Sequence, residues 1–319
     1  MSPIVRLLAQ RIALSLLLMF LVSILIFAGT IILPGDVAQS ILGQSATEQS
    51  LANLREELGL NEPVVSRYFN WLGGAIQGDL GTALTSRQEI APILAARLQN
   101  TLFLAMWAAI ISVPLAIFLG LLAVRFRERW PDKLISGVTL ASISVPEFLI
   151  AYVLMFFVGV KLRWLMPTAI GFRPDADIMT KLEAIALPVM VLTLVILAHM
   201  MRMTRAAILN VMQSAYVETA ELKGLSMFTI IWKHAFPNSV APIVNVVMLN
   251  LAYLVVGVVV IEVVFVYPGM GQYLVDHVSK RDVPVVQACG LVFAAVYISL
   301  NMVADIVAIL SNPRLRHPK

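Results

Sequence analysis

Six long apolar stretches constrain what this chain can fold into more than any other feature of its sequence. A helix needs roughly 20 apolar residues to cross the hydrocarbon core of a bilayer, which is about 30 Å thick. Each stretch comes close to that length or exceeds it. They are Ile12–Leu33, Thr101–Val124, Leu134–Val160, Ala184–Met201, Ser239–Val266 and Val285–Leu310. The chain is therefore predicted to be an all-α membrane protein with six transmembrane helices, the first a retained anchor, because it is too long for a signal peptide.

The composition and the placement of charge support this prediction. Of the 319 residues, 60% are hydrophobic and only 13% are charged, whereas soluble domains carry about 25% charged residues. Every Lys and Arg lies outside the six stretches. If the N-terminus is inside, the inner segments hold 13 basic and 4 acidic residues, and the outer segments hold 10 basic and 12 acidic residues. This positive-inside pattern predicts that both termini are cytoplasmic, and it makes a nucleic-acid partner unnecessary to explain the net charge of +4.

The residues that usually carry catalysis or bind cofactors are sparse. A single cysteine, Cys289, excludes an internal disulfide, and the four histidines have no metal-ligand spacing. The glycines at 73, 74, 78 and 81 are not followed by the Gly-Lys-Ser/Thr of a phosphate loop. We therefore predict no metal, no cofactor and no enzymatic activity, and expect His199 and Cys289, both inside apolar stretches, to be core residues. Energy for any uphill transport must come from an ion gradient or from another chain.

The longest inner segment, Arg202–Asn238, has the pattern of two helices joined by a tight turn. Gly224 can adopt the left-handed conformation that ends a helix, Ser226 can cap the next helix, and Pro237 is predicted to close that helix before the fifth span. Helical spacing places an apolar set on one face of the second helix, which must be buried against something; the set is Phe228, Ile231, Trp232 and Ala235.

This segment resembles the EAA loop of ABC importer permeases, whose pattern is E-A-A-x3-G-x9-I-x-L-P. The matching residues are Glu218-Thr219-Ala220, Gly224 and His234-Ala-Phe-Pro237, with departures at Thr219, His234 and Phe236. Further motifs resemble the dipeptide, oligopeptide and nickel branch of that family along nearly the whole chain. They are Leu33-Pro-Gly-Asp36, Glu57-Leu-Gly-Leu-Asn-Glu-Pro63, Gly78-Asp-Leu-Gly81, Arg97-Leu-Gln-Asn-Thr101-Leu, Met203-Thr-Arg-Ala206, Tyr267-Pro-Gly-Met-Gly271, Arg281-Asp-Val-Pro-Val-Val-Gln287 and Asn312-Pro-Arg314.

The resemblance implies a type I permease subunit in a bacterial inner membrane. Its implied partners are membrane lipid, a second homologous permease, two ABC ATPase subunits and an extracytoplasmic substrate-binding protein. The implied coupling residues, which would transmit ATPase closure to the spans, are Glu218, Thr219, Ala220, Gly224, Phe228, Trp232 and Pro237. The alternative is a solvated loop whose apolar face packs only on its own bundle.

Three acids inside the apolar stretches are candidates for the translocation path or for gating, because carboxylates are costly in lipid. Glu262 lies near the outer end of the fifth stretch and Asp305 near the inner end of the sixth, and we expect gating or helix pairing for both. Glu147 follows Pro146, which can open the third helix. Glu147 could attract a cationic substrate group, or it could face the partner subunit, be protonated or bond to Ser144.

The resulting organisation has three parts. Residues 1–100 are predicted to form the anchor helix and a long external loop subdomain, with an amphipathic helix around Leu51–Leu58. Residues 101–311 are predicted to form the permease core with the coupling loop 202–238, and residues 312–319 a cytoplasmic tail. Two other function classes remain open: a secondary transporter or channel that relays ions through the three acids, and an assembly scaffold without transport. The sequence alone leaves the substrate undetermined among peptides, glutathione, opines and metal chelates.

Overall fold

The computed structural model describes residues 3–32, 39, 46–57, 59 and 61–311 of the chain. The motifs Leu33-Pro-Gly-Asp36 and Asn312-Pro-Arg314, the predicted tail 312–319, and positions 58 and 60 lie outside the described residues. The described part is all-α, as predicted, and its only extended pairing is an isolated bridge between Thr82 and Glu89.

Long helices account for most of the described chain because a backbone in lipid must satisfy its own hydrogen bonds. In chain order the helices are α1 Pro3–Ile32, α2 Glu48–Glu57, α3 Val64–Ile76, α4 Ile90–Arg125, α5 Trp130–Ser144, α6 Glu147–Lys161, α7 Ile178–Met212, α8 Ala215–Leu222, α9 Met227–Val264, α10 Met270–Ser279 and α11 Val283–Ser311. Five helices are long and apolar enough to cross a membrane, namely α1, α4, α7, α9 and α11. The amphipathic helix predicted around 51–58 is confirmed as α2 as far as Glu57.

The third predicted span is a bent pair of helices. α5 and α6 meet at an angle of 103°, and together they supply the sixth crossing if the pair counts as one span. Val145 is extended, as the residue before a proline usually is, and Pro146 lacks the N–H that would continue the helix. The prediction that Pro146 opens the third helix is confirmed.

The prediction that Pro237 closes a separate helix is wrong. α9 runs unbroken from Met227 to Val264, with a π-helical turn over Ile230–Ala235 just before the proline. Pro237 stands in the first turn of the α-helical part that follows, where its missing N–H costs little. Side chains add hydrogen bonds to the backbone next to the proline: Asn238 Nδ2 donates to His234 O at 2.7 Å, and Ser239 Oγ donates to Ala235 O at 2.7 Å.

The described residues form two compact units. The first draws on Met1–Ile12, Leu102–Tyr267 and Ser299–Lys319. α7 is its centre, because α5, α6 and α9 all pack against it. This burial by protein explains why the fourth apolar stretch can be the shortest, and 72% of the most apolar window of α7 is buried.

The second unit draws on Ala13–Thr101 and Pro268–Ile298. In it α3 packs on α1, where the Tyr68 hydroxyl and Ser23 Oγ lie 2.8 Å apart and the Tyr68 and Phe27 rings meet edge to face. Asp282, almost fully buried, accepts hydrogen bonds from Leu84 N, Thr85 N and Thr85 Oγ1 at 3.1, 2.9 and 2.8 Å. This network, the Asp282 clamp, joins two segments nearly 200 residues apart in sequence.

Two further hydrogen bonds strengthen the second unit. Asn100 Nδ2 donates to Pro268 O at 2.8 Å, and Met270 N donates to Thr101 Oγ1 at 2.8 Å. These two bonds link the Arg97–Thr101 motif to the Tyr-Pro-Gly-Met-Gly motif. The Asp282 clamp links the loop after Gly81 to the Arg281–Gln287 motif. The motifs of this unit therefore form one connected structure.

Candidate functional site

The two-helix turn predicted between the fourth and fifth spans is present. α8 ends in a left-handed residue, Gly224, with φ +75°. Leu225 N donates to Ala220 O and Gly224 N donates to Glu221 O, the two bonds of a Schellman cap. Ser226 Oγ accepts from Thr229 N at 3.3 Å and so caps α9. The predicted roles of Gly224 and Ser226 in the chain's path are confirmed.

Buried side chains fix both helices of this turn to the bundle. Val217 and Ala220 of α8 pack with Ile230 of α9. The next residue of α9, Ile231, and Ala235 one turn later belong to a core cluster that also contains Leu121, Val124, Ile208 and Ile243. Ala220 therefore acts as a packing residue that ties α8 to α9, and the pair is anchored on α4 and α7.

The four residues predicted to form one buried apolar face of α9 are not all buried. Ile231 and Ala235 are buried, whereas Phe228 is 60% exposed and Trp232 is 45% exposed. The π-helical turn explains the difference, because its i→i+5 bonds change the angular spacing that α-helical periodicity assumes. Phe228 and Trp232, with ring centroids 6.1 Å apart, line a groove of about 150 Å³ together with Phe118, Leu121, Leu122, Arg125 and Ile231.

An exposed apolar surface surrounds the Gly224 turn. Leu222 is 84% exposed, and Leu225, Met227 and Phe228 are exposed as well. We call Leu222, Leu225, Met227 and Phe228 the turn surface. Sequence reasoning named only Phe228 among them, although large apolar residues on both sides of a helix-ending glycine are a readable signal. Exposed apolar clusters of this kind mark protein interaction sites.

The remaining coupling candidates, Glu218, Thr219 and Pro237, are all exposed. Glu218 is exposed, and its carboxylate has no ion pair in the part of the chain that the structure describes. Thr219 Oγ1 donates to Ala215 O at 2.9 Å, so a hydroxyl here instead of the family's alanine has a partner. Pro237 is exposed on α9, well along the helix from the turn.

Glu147 stands at the bend of the third crossing. It is the first residue of α6, directly after Pro146, and it is partly buried. The alternative that Glu147 bonds to Ser144 is wrong, because Ser144 Oγ donates to Leu140 O at 2.9 Å and the bend turns the two helices apart. The carboxylate has no hydrogen-bond partner among the described residues. It is thus available to a ligand or a partner chain.

The other two acids have different surroundings. Glu262 is fully buried near the C-terminal end of α9, and its carbonyl accepts from Tyr267 N at 2.8 Å. Burial, and then the charge of Glu262, raise the pKa of the Tyr267 phenol, so this group stays protonated. Asp305 forms an ion pair of 3.1 Å with Arg11 of α1, both partly exposed, which is an arrangement expected for helix pairing.

The structure does not gather these acids into one cluster. Among the described residues no three His, Cys, Asp or Glu side chains lie close enough to hold a metal ion. Cys289 is buried, as predicted. The expectation that His199 is a core residue is wrong, because it lies on an exposed side of α7 between the buried Ala198 and Met200.

The chain is similar to known transport proteins along almost its full length. The family model described as "Binding-protein-dependent transport system inner membrane component" matches residues 112–317, and the one described as "Binding-prot-dependent transport system membrane comp, N-term" matches residues 4–111. The chain is 35% identical over 299 residues to the glutathione transport system permease protein GsiC of Escherichia coli (strain K12), covering 94% of this chain and 95% of that protein. It is 32% identical over 308 residues to the probable peptide ABC transporter permease protein y4tP of Sinorhizobium fredii, covering 97% and 98%.

Proposed function

The chain belongs to the family of binding-protein-dependent transport system inner membrane components, and we propose that it forms, with a second homologous permease, the path by which a peptide or similar solute is imported. It is a multi-pass inner-membrane permease subunit of an ATP-driven importer of the peptide branch. It is not itself an enzyme. ATPase subunits and a substrate-binding protein are its partners, and ATP hydrolysis resides in the ATPases.

The turn surface is the observation that carries the proposed site of coupling. It combines exposed apolar side chains with an exposed carboxylate, Glu218, on helices anchored in the bundle by Ala220 and Ile231. Interfaces take most of their binding energy from a few large apolar anchors. We propose that the turn surface and Glu218 contact one of two ATPase subunits. Trp232 lines the groove between α9 and α4, and we propose that its packing there holds the Gly224 turn in position.

The distribution of charge supports the proposed orientation. The connection between α4 and α5 is rich in basic residues, and by the positive-inside rule this supports a cytoplasmic position for it; the residues are Arg125, Arg127, Arg129 and Lys133. Two crossings, the α5–α6 pair and α7, lie between this connection and the Gly224 turn, so the two are on the same side of the membrane. Both termini and the Gly224 turn are then cytoplasmic, on the side where ATP is available.

Reconstitution tests the proposed function. Liposomes containing both permeases and the ATPases, supplied with the binding protein, are expected to accumulate substrate only when ATP is present, because this chain has no phosphate loop of its own. Uptake is measured with the labelled ligand that copurifies with the binding protein. An ion gradient without the ATPases should give no accumulation. Uptake driven by that gradient alone would favour a secondary transporter, and no flux in the complete complex would favour a scaffold.

The substrate class follows from the relatives and from Glu147. The similar proteins are named for glutathione and for peptides, and both ligands carry an amino group. We propose a peptide or a peptide-like compound as substrate, with Glu147 facing the path. Its position at a bend in the third crossing, without a hydrogen-bond partner among the described residues, supports this role.

Replacing Glu147 with glutamine is expected to slow the uptake of cationic peptides by about fivefold, the effect of losing one partly solvated charge pair of ~1 kcal/mol. Uptake of neutral peptides of equal length should change little. Competition between the two labelled peptides measures the difference, and Glu147→Asp, which keeps the charge, is the matched control. Equal losses for both peptides would remove the proposed contact with substrate.

A further inference from the structure

A partly buried ion pair joins α5, the first arm of the third crossing, to α7. Asp132, in the first turn of α5, is 4% exposed. One of its oxygens accepts from Arg205 Nε at 2.9 Å and the other from Arg205 Nη2 at 2.8 Å. Glu128 N and Ser136 Oγ donate to the same carboxylate at 3.0 and 3.3 Å. A bidentate pair whose carboxylate accepts four hydrogen bonds fixes orientation as well as distance.

The same stretch of α7 is held on its other sides. A Cβ on Gly120 of α4 would come within 2.9 Å of Thr204 Cγ2, so α4 and α7 are in direct contact next to Arg205. One turn along, Ile208 packs with Ile231 and Ala235 of α9 in the core cluster. The segment Thr204–Ile208 therefore connects α9 with α4, and through Arg205 it connects both with α5.

We infer that the Asp132–Arg205 pair carries movement of the Gly224 turn to α5, and so to the bend at which Glu147 stands. The inference rests on the proposed function of that turn. α8 moves with α9 because both share the Ile230 cluster, α9 moves α7 through Ile208, and α7 moves α5 through the ion pair. Only Val145 and Pro146 separate the end of α5 from Glu147, so displacement of α5 changes the position of Glu147. Asp132 and Arg205 are positioning residues and need no contact with substrate.

The chemistry of the pair explains why an ion pair suits this position. Apolar side chains would fill the same space and could be as stable, because two charges are costly to desolvate. Apolar contacts are non-directional, however, and let one helix slide on another. The guanidinium and the carboxylate hold a single register. Stability and transmission can therefore be separated by substitution.

The test uses the complete importer carrying Asp132→Leu with Arg205→Met. This apolar pair is expected to fold and to hydrolyse ATP, but to transport about tenfold less substrate per ATP, a typical size for coupling between sites. The swap Asp132→Arg with Arg205→Asp should recover part of that ratio. Glu128→Gln, which removes an exposed ion pair with Arg127 in the same connection, is the matched control and should behave as wild type.

Spin labels provide a readout that a loss of stability would not imitate. After Cys289→Ser, paired labels are placed at the exposed positions Tyr216 of α8, outside the turn surface, and Phe148 of α6, each against a fixed reference site in the reconstituted complex. ATP should move both labels in the wild type. In the apolar pair it should move only the label at Tyr216. A label at Phe148 that still moves as in wild type, or an unchanged transport ratio, would overturn the inference. No movement at Tyr216 in the wild type would instead contradict the proposed function.

Discussion

Valine in place of Gly224 is expected to leave the protein in the membrane and to uncouple ATP hydrolysis from uptake. Gly224 has φ +75°, a conformation that costs a β-branched residue roughly 1–3 kcal/mol. No atom lies within 4 Å of a Cβ built there, so steric overlap adds nothing and the bundle stays packed. The strain is relieved by opening the Schellman cap, which changes the angle between α8 and α9. Substrate-stimulated ATPase activity and uptake are measured in the reconstituted importer.

Three variants separate backbone strain at Gly224 from other effects. Gly224→Asn should retain most activity, because asparagine tolerates left-handed backbone. Gly73→Val, in α3 and also without an atom within 4 Å, is the control for valine in open space. Glu218→Lys tests the charge beside the turn surface and is expected to uncouple as strongly as valine at Gly224. Normal stimulated ATPase activity and uptake in both Gly224→Val and Glu218→Lys would exclude the turn as the coupling site.

Asp282→Asn is expected to open the loop that contains Leu84 and Thr85. The asparagine side chain has one carbonyl oxygen to accept from the three donors of Leu84 and Thr85, where the carboxylate has two oxygens. Its NH₂ group would face one of those donors, and two donors cannot form a hydrogen bond with each other. Hydrogen bonds to a charged acceptor contribute about 1.5–3 kcal/mol each. A loss of ~3 kcal/mol should raise the rate of tryptic cleavage after Arg87 by roughly a hundredfold, since each 1.4 kcal/mol is a factor of ten. Arg87 is exposed within this loop, and mass spectrometry of the purified protein identifies the cut.

Asp276→Asn is the matched control for the Asp282 clamp. Asp276 lies on α10 of the same unit and is exposed, so the same chemical change there should leave cleavage after Arg87 at its original rate. Cleavage that rises equally in both variants would show that net charge, and not the clamp, protects the loop. An unchanged rate in Asp282→Asn would show that the other contacts of the second unit suffice.

The spans and the Gly224 turn could be predicted from the sequence because each rests on local chemistry. Apolar runs of bilayer length mark the helices, and the glycine followed by serine marks the left-handed end of one helix and the cap of the next. The interruption of the third span was also local, since Pro146 removes a donor within one element. Family resemblance then supplied the function, which the residues alone left open among three classes.

The parts that could not be predicted depend on geometry between distant residues or on a change of helical register. α-Helical spacing placed Phe228 and Trp232 on the buried face, but the π-helical turn beneath them leaves both rings partly exposed. No local pattern could pair Asp132 with Arg205, which lie 73 residues apart. The Asp282 clamp spans an even longer separation, and its motifs were visible in the sequence only as separate resemblances.

The bend between α5 and α6 also dictates an order of biogenesis. Each arm is only 15 residues long, about 22 Å at 1.5 Å per residue, so neither can cross a bilayer alone. Because α5 stops at the bend, its last carbonyls receive no hydrogen bonds from the N–H groups of a following turn. Such carbonyls cannot be left facing lipid. α7 packs on both arms and α9 packs on α6, and both helices are synthesised after the bent pair. We therefore expect the third crossing to reach its final place in the membrane only after the ribosome has delivered the chain that follows it.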